Sequence, residues 1–242
     1  CSCGRPKRVA RMAGMQPGWA GIMRECNVCD TALTPTLSGF SDAIAEHAGE
    51  VAVFASASEG FSRANLNASI AQSLTRYRDI AQAAKAANIP VRGYVSCVIA
   101  CPFDGPTAPA QVAYVVGQLC DMGCYAVSLG DTIGAGTPDS IQTMLGAVLD
   151  VAPAQDLAGH YHDTGGRALA NIDASIALGL RVFDTSVGGL GGCPYAPGAT
   201  GNVATETTAR HLAAQGFDTG LDLAAIDAAA QLARTMRGTV NV

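Results

Sequence analysis

The sequence predicts an α/β fold: a TIM (β/α)8 barrel in one domain over residues 1–242, with the first one or two βα units absent from these residues. Short β-rich runs alternate with alanine-rich segments in steps of roughly 25–40 residues, the spacing of parallel strands joined by crossover helices. No G-x-G-x-x-G follows a strand, so the open dinucleotide-binding sheet lacks its fingerprint. Six strand–helix units are apparent, whereas a closed barrel has eight. A six-stranded sheet that is complete in itself stays open as the alternative.

The individual elements follow from this alternation in chain order. Strands are predicted at Ala32–Leu37, Glu50–Ser58, Pro90–Val98, Tyr125–Thr132, Leu157–Thr164 and Leu180–Val187. Helices are predicted at Phe40–His47, Asn67–Ala87, Ala108–Met122, Pro138–Val151, Arg167–Leu178, Thr205–Gln215 and Leu223–Met236. Polar side chains cluster where four of the strands end, in Tyr94–Cys97, Ser128–Thr132, His160–Asp163 and Thr185–Gly189. Polar residues at the carboxyl ends of several barrel strands mark a catalytic mouth, so this pattern indicates an enzyme.

The composition excludes several classes of protein. Hydrophobic residues make up 49% of the chain and charged residues 14%, which suits a buried parallel sheet and argues against disorder. The formal net charge of −5 gives no electrostatic footprint for nucleic acid. No run of about 18 apolar residues indicates a membrane span. Nine scattered cysteines indicate a reducing compartment, and we expect a bacterial cytoplasmic protein from the alanine-rich composition.

Two histidines form a candidate metal site. His160 and His162 are two residues apart on a predicted strand, so both side chains point to one face of the sheet. Two imidazoles on one face can bind one divalent cation; the alternative is two polar residues at a strand end, one bonded to a backbone carbonyl. Asn202, in a glycine-rich loop after the last strand, can add an amide oxygen. Such mixed ligands suit Mg²⁺ or Mn²⁺, with Zn²⁺ open, and the motif does not identify a fourth ligand.

Residues 188–202 are the most distinctive stretch of the sequence. Six glycines and two prolines among these fifteen residues exclude a helix or a central strand and predict a loop. Long loops of this kind at a barrel mouth are often lids. Cys193 lies in the middle of the loop between Gly192 and Pro194, where a structural thiol would have little to pack against. A reactive thiol is therefore favoured over a structural one.

This loop resembles the signature loop of the 3-hydroxy-3-methylglutaryl-CoA (HMG-CoA) lyase family, in which the cysteine is the catalytic thiol. Supporting matches lie in Thr34–Phe40, Phe54–Phe61, Asn65–Ile70, Arg92–Cys97, Ser128–Gly134 and His160–Thr164. The H-x-H-D element is shared with a wider superfamily that includes isopropylmalate and homocitrate synthases. The resemblance implies cleavage of HMG-CoA to acetyl-CoA and acetoacetate with a divalent cation.

The resemblance also implies roles for individual residues. The family's catalytic positions are matched by Cys193, Asp131, His160 and Glu206. Its metal ligands are matched by His160, His162 and Asn202. Its substrate or CoA cleft is matched by Asn65, Arg92, Tyr94 and Ser128. In this chemistry the cation lowers the pKa of the substrate's tertiary hydroxyl, Asp131 or a histidine relays its proton, and Cys193 protonates the acetyl-CoA enolate that is released.

Some features of the family are absent from these residues. Its first strand carries an Arg-Asp pair whose aspartate is the fourth metal ligand, and a glutamate is expected just before Cys1. Residues 1–31 also match poorly, so we expect residues 1–242 to lack a complete site. A lyase for a longer 3-hydroxy acid, a condensing synthase and an inactive CoA-binding fragment stay open as alternatives. A homodimer also stays open, because no interface is diagnostic in the sequence.

Overall fold

The structure is a computed structural model that describes residues 28–192 and 201–238. In these residues six parallel strands form the main sheet, and two short antiparallel strands form a hairpin. The main-sheet strands are β1 (Thr31–Leu33), β2 (Glu50–Ser56), β3 (Val91–Ser96), β6 (Ala126–Asp131), β7 (Leu157–Tyr161) and β8 (Val182–Asp184). The hairpin strands are β4 (Ala100–Cys101) and β5 (Gly105–Pro106). The helices are α1 (Leu37–Ala45), α2 (Glu59–Leu66), α3 (Ile70–Ala86), α4 (Pro109–Asp121), α5 (Pro138–Leu149), α6 (Ala168–Ala177), α7 (Thr205–Ala214) and α8 (Leu223–Gly238).

The strand order of the main sheet is that of a barrel. The order is β1-β2-β3-β6-β7-β8, so that neighbours in the sheet also follow one another along the chain once the hairpin is set aside. A doubly wound sheet reverses its strand order at an internal position. No such reversal occurs among the described strands, and at least one helix lies in every connection between them. The predicted (β/α)-barrel class is therefore confirmed.

The core lies between the sheet and the surrounding helices. Strand β3 shows the pattern: Val91 and Val95 are buried against the helices, while the alternate residues face the barrel interior. Leu129 of β6 and Leu119 of α4 are completely buried in the same core. Burying a side chain of this size stabilises the fold by about 1.5–3 kcal/mol. In the described ranges, no helix is both long enough and apolar enough to cross a membrane.

The first strand is shorter than the sequence predicts. The prediction of strand from Ala32 to Leu37 is wrong after Leu33, because Pro35 has no backbone N–H to donate to a neighbouring strand. Thr36 then caps α1, its hydroxyl accepting a hydrogen bond from the backbone N–H of Gly39 at 3.1 Å. The chain therefore turns into a helix at a position where the pattern predicted a strand.

Helix α2 was not predicted. The predicted strand Glu50–Ser58 ends at Ser56, and Ser58 caps the helix by accepting from the N–H of Phe61 at 3.2 Å. Asp104, in the hairpin loop, accepts from the N–H of Gly60 at 2.7 Å and from the Ser58 hydroxyl at 2.6 Å. A helix of eight residues is marginal by itself. The second cap, from a residue far away in the sequence, helps to stabilise it.

Candidate active site

A pocket of about 240 Å³ opens where β3, β6 and β7 end. Its walls include Asn65, Tyr94, Thr132, His160 and His162. These side chains come from different elements, and the parallel register brings them to one edge of the sheet. The carboxyl edge is where barrel enzymes place their catalytic groups, so the pocket is the candidate active site.

The two histidines line this pocket, and Asn202 lies next to one of them. The rings of His160 and His162 lie with their centroids 5.6 Å apart, close enough for both to bind one cation. The backbone of Asn202 pairs with that of His162 in an antiparallel bridge. The preceding residue, Gly201, has φ at +90° and packs so closely on Gly191 that a Cβ there would overlap the Gly191 carbonyl oxygen. The structure thus brings together all three predicted metal ligands.

His162 is in the state that a metal ligand requires. Its side chain is buried, and this burial is the main cause that lowers its pKa to about 4. The neighbouring His160 is the second cause. The ring is therefore neutral near pH 7, which is the form that binds metal ions. The ring also has a backbone hydrogen-bond contact at Thr132, which acts to raise the pKa, and its buried Nδ1 has no partner at normal hydrogen-bond geometry among the described residues. An unpartnered buried polar atom is costly, and a bound cation would remove that cost.

The side-chain amide of Asn202 is held by one hydrogen bond. Its amide nitrogen donates a hydrogen bond to the carbonyl oxygen of Leu190 at 3.0 Å. The side-chain oxygen is then the atom that can bind a cation. Two neutral nitrogens and one amide oxygen suit a divalent cation. Within residues 28–192 and 201–238, no three His, Cys, Asp or Glu side chains form a metal-binding group, and the candidate set contains two of these side chains and one amide.

An unpredicted carboxylate, that of Asp184, lies directly beneath the pocket. It accepts hydrogen bonds from Arg92 at 2.8 Å and from Ser128 at 2.6 Å, and His160 Nδ1 lies 3.3 Å away. Burial acts to raise the pKa of Asp184, but His160, Arg92 and Ser128 together hold it below its usual value. Arg92 and Ser128, predicted to line the substrate cleft, are thus placed one layer below the pocket.

Tyr94 and Asn65 lie in the pocket wall, as predicted for substrate-lining residues. Burial is the main cause that raises the pKa of Tyr94 to about 12, so its phenol is neutral at physiological pH. Arg92 donates to the phenol oxygen at 3.2 Å and also lies 5.2 Å from the ring centroid. The ring of Tyr94 meets His160 edge-on at 6.3 Å. These contacts fix the tyrosine beside the histidine pair.

Asp131 faces away from the pocket. Its carboxylate is completely buried and accepts hydrogen bonds from the backbone N–H groups of Ala135 at 3.1 Å and Gly136 at 2.8 Å. Burial raises the pKa of Asp131, whereas those hydrogen bonds act to lower it. Gly130 and Thr132, its chain neighbours, line the pocket instead. These contacts support a positioning role for Asp131 in the loop after β6, and its catalytic role stays a prediction.

Glu206 lies at the base of the glycine-rich loop. It is in the first turn of α7, is buried, and accepts a hydrogen bond from the N–H of Gly188 at 3.0 Å. Arg234 of α8 lies 3.7 Å from its other oxygen. The predicted proximity of Glu206 to the loop is therefore found. Cys193 itself lies outside the described residues, together with the rest of 193–200.

Comparison with known protein families identifies the chain. A family model described as HMGL-like matches residues 22–233. The chain belongs to the HMGL-like family.

Named relatives within the HMGL-like family are about half identical to the chain. The 3-hydroxy-3-isohexenylglutaryl-CoA/hydroxy-methylglutaryl-CoA lyase of Pseudomonas aeruginosa is 50% identical over 98% of this chain and 79% of its own length. The mitochondrial hydroxymethylglutaryl-CoA lyase of Arabidopsis thaliana is 51% identical over 98% of this chain. The chain spans 50% of that plant protein's length.

Solved HMGL-like structures share the fold. The HMG-CoA lyase of Brucella melitensis has a TM-score of 0.96 and 53% identity, covering 98% of this chain and 84% of that one. An HMG-CoA lyase of Acinetobacter baumannii, solved with coenzyme A and 3-methylmalate, has a TM-score of 0.92 and 30% identity, covering 98% and 77%. The predicted family resemblance is therefore confirmed.

We expect Asp131→Asn to lower the free energy of unfolding by about 1–3 kcal/mol, because an amide cannot accept from both backbone N–H groups and one buried donor is left unpaired. Urea denaturation would measure this loss. Asp79→Asn, on an exposed face of α3, is the matched control and should unfold at the wild-type urea concentration. Unchanged unfolding together with a lowered kcat would instead support direct proton relay by Asp131.

Proposed function

We propose that the protein is a divalent-cation-dependent carbon–carbon lyase that cleaves HMG-CoA to acetyl-CoA and acetoacetate. Family membership supports this reaction, since relatives at about 50% identity carry the lyase name. The observation that carries the proposal is the meeting of His160, His162 and Asn202 beside one pocket, with a neutral imidazole whose Nδ1 has no partner among the described residues.

The residues present fit a divalent cation, with Mg²⁺ or Mn²⁺ the expected ions. His160, His162 and Asn202 would hold it at the pocket wall. When bound, the cation acts as a Lewis acid that lowers the pKa of the substrate's tertiary hydroxyl. Oxygen atoms of a carboxylate, of the substrate or of water would complete the coordination.

The chain's own residues orient the substrate and manage its protons. Tyr94 and Asn65 offer a neutral phenol and an amide to the polar atoms of the acyl group. His160 has Nδ1 next to Asp184, so Nε2 is the ring atom that it can present to the pocket. Its two predicted roles, cation ligand and proton relay, therefore compete for one atom. Ligation takes precedence, because the ring is paired with His162 at the cation site.

The second half of the reaction requires a proton donor above the pocket. Breaking the carbon–carbon bond converts the hydroxyl carbon to the ketone of acetoacetate and leaves the electron pair on the enolate of acetyl-CoA. The hydroxyl proton, made more acidic by the cation, would pass to water in the pocket. We assign the proton that this enolate takes up to the Cys193 thiol, which becomes a thiolate and is reprotonated in the next cycle.

An assay of the protein in its full natural length tests the proposal. With HMG-CoA and Mg²⁺, acetoacetate is expected to form, and formation should stop on chelation and resume with added Mg²⁺ or Mn²⁺. A parallel assay with 3-hydroxy-3-isohexenylglutaryl-CoA tests for a longer acyl group, because the Pseudomonas aeruginosa relative is named for both substrates. Binding of CoA without turnover, or activity that survives chelation, would overturn the proposal. The cytoplasmic location and the homodimer stay predictions.

A further inference from the structure

Asp184 occupies the centre of the barrel half that the structure describes. It is the last residue of β8, and its side chain is only 18% exposed. In the sheet it pairs directly with His160 of β7. Its carboxylate also reaches Arg92 of β3 and Ser128 of β6, so one side chain connects four strands. Such a buried carboxylate requires a reason, because burying a charge is unfavourable unless it is fully paired.

The contacts around the Asp184 carboxylate determine which ring nitrogen of His160 carries a proton. Oδ1 accepts from Arg92 at 2.8 Å, and Oδ2 accepts from Ser128 at 2.6 Å. Arginine is always charged and can only donate, so it keeps the carboxylate ionised. An ionised carboxylate only accepts hydrogen bonds. His160 Nδ1, 3.3 Å from Oδ2, must therefore carry the proton of that contact.

We propose that Asp184 is a positioning residue that holds His160 in the Nδ1–H tautomer and directs its Nε2 to the cation site. The inference rests on the proposed function. Histidine ligands commonly donate their second ring nitrogen to a carboxylate, which fixes the ring and strengthens the metal bond. Ser128 acts through Asp184, and Arg92 does so in addition to donating to the Tyr94 phenol. His162 has no carboxylate partner of this kind among its described contacts, so the effect of Asp184 is specific to His160.

A second aspartate–histidine pair on the outside of the barrel supplies a matched control. Asp173 of α6 lies 2.7 Å from His211 Nε2 of α7, far from the pocket in the helical layer. Asp184→Asn and Asp173→Asn therefore make the same chemical change at two aspartate–histidine contacts. Only the first should affect the cation site.

Two measurements made without substrate test the proposal. Asp184→Asn is expected to weaken Mn²⁺ binding, followed by electron paramagnetic resonance, by about 10- to 100-fold, whereas Asp173→Asn should bind like wild type. Nitrogen NMR of the histidine rings should show His160 as the Nδ1–H tautomer in the metal-free wild type and a mixture of tautomers in Asp184→Asn. The chain has four histidines, so each ring signal can be assigned by substitution.

A milder variant keeps the test valid if Asp184→Asn fails to fold. Ser128→Ala removes one hydrogen bond to the carboxylate and is expected to weaken Mn²⁺ binding about two- to tenfold. Wild-type Mn²⁺ affinity in both Asp184→Asn and Ser128→Ala, or an Nε2–H tautomer at His160 in the wild type, would overturn the inference. A wild-type protein that binds Mn²⁺ but does not cleave HMG-CoA would overturn the proposed function and leave the role of Asp184 intact.

Discussion

Replacing His162 with alanine is expected to lower kcat/KM for HMG-CoA cleavage by about a thousandfold or more. The substitution removes one of the two nitrogen ligands, and a bound cation contributes several kcal/mol to the transition state. Each 1.36 kcal/mol corresponds to a factor of about ten in rate, which gives a loss of roughly this size. The same variant should lose measurable Mn²⁺ binding, because Asn202 and His160 alone make a weak site. Acetoacetate formation and Mn²⁺ titration measure the two effects separately.

The matched control is His211→Ala, a histidine on the outer helical layer that pairs with Asp173. It should keep wild-type activity and wild-type Mn²⁺ affinity. Thermal unfolding of His162→Ala checks that the barrel is intact. A His162→Ala protein that binds Mn²⁺ normally would remove this residue from the metal site. A protein that loses Mn²⁺ but keeps its rate would remove the cation from the reaction.

The alternation of strands and helices predicted the barrel because it depends on local periodicity. The same periodicity placed both histidines on one face, since residues two apart on a strand share a side. The same periodicity also bears on Ser128 and Asp131. Ser128 and Asp131 are three apart on β6 and must face opposite sides, so both could not line one pocket. The structure places Ser128 in the barrel interior and Asp131 behind the sheet.

Other features depend on contacts between distant parts of the chain. Asp184 appears in the sequence as an acidic residue near a strand end, and its role emerges only from the register that sets it beside His160. Helix α2 depends on a cap from Asp104, 44 residues beyond Gly60. Arg92 matched a cleft position in the family, but its guanidinium forms an ion pair with the carboxylate of Asp184 below the pocket. Pattern and spacing carry no direct information on such pairings.

Cys193→Ala is expected to lower kcat by about 10²- to 10⁴-fold, the contribution of a positioned proton donor. The physical reason is that alanine cannot protonate the acetyl-CoA enolate, while the residues proposed to bind the cation and the substrate stay in place. Mn²⁺ affinity and KM should therefore change little, which separates this variant from His162→Ala, in which metal binding is lost as well. Steady-state kinetics with HMG-CoA and a parallel Mn²⁺ titration make the distinction.

The loss of kcat in Cys193→Ala should be specific to this thiol, and it should depend on the acidity of the thiol. Cys29, exposed at the start of the described chain, is the control, and Cys29→Ala should retain full activity. Cys193→Ser should stay close to Cys193→Ala, because a hydroxyl is far less acidic than a thiol and donates its proton poorly to an enolate. Wild-type kcat in Cys193→Ala would refute the role of the thiol. Full activity in Cys193→Ser would show that a hydroxyl suffices, so that the loop positions a hydrogen bond rather than delivers a proton.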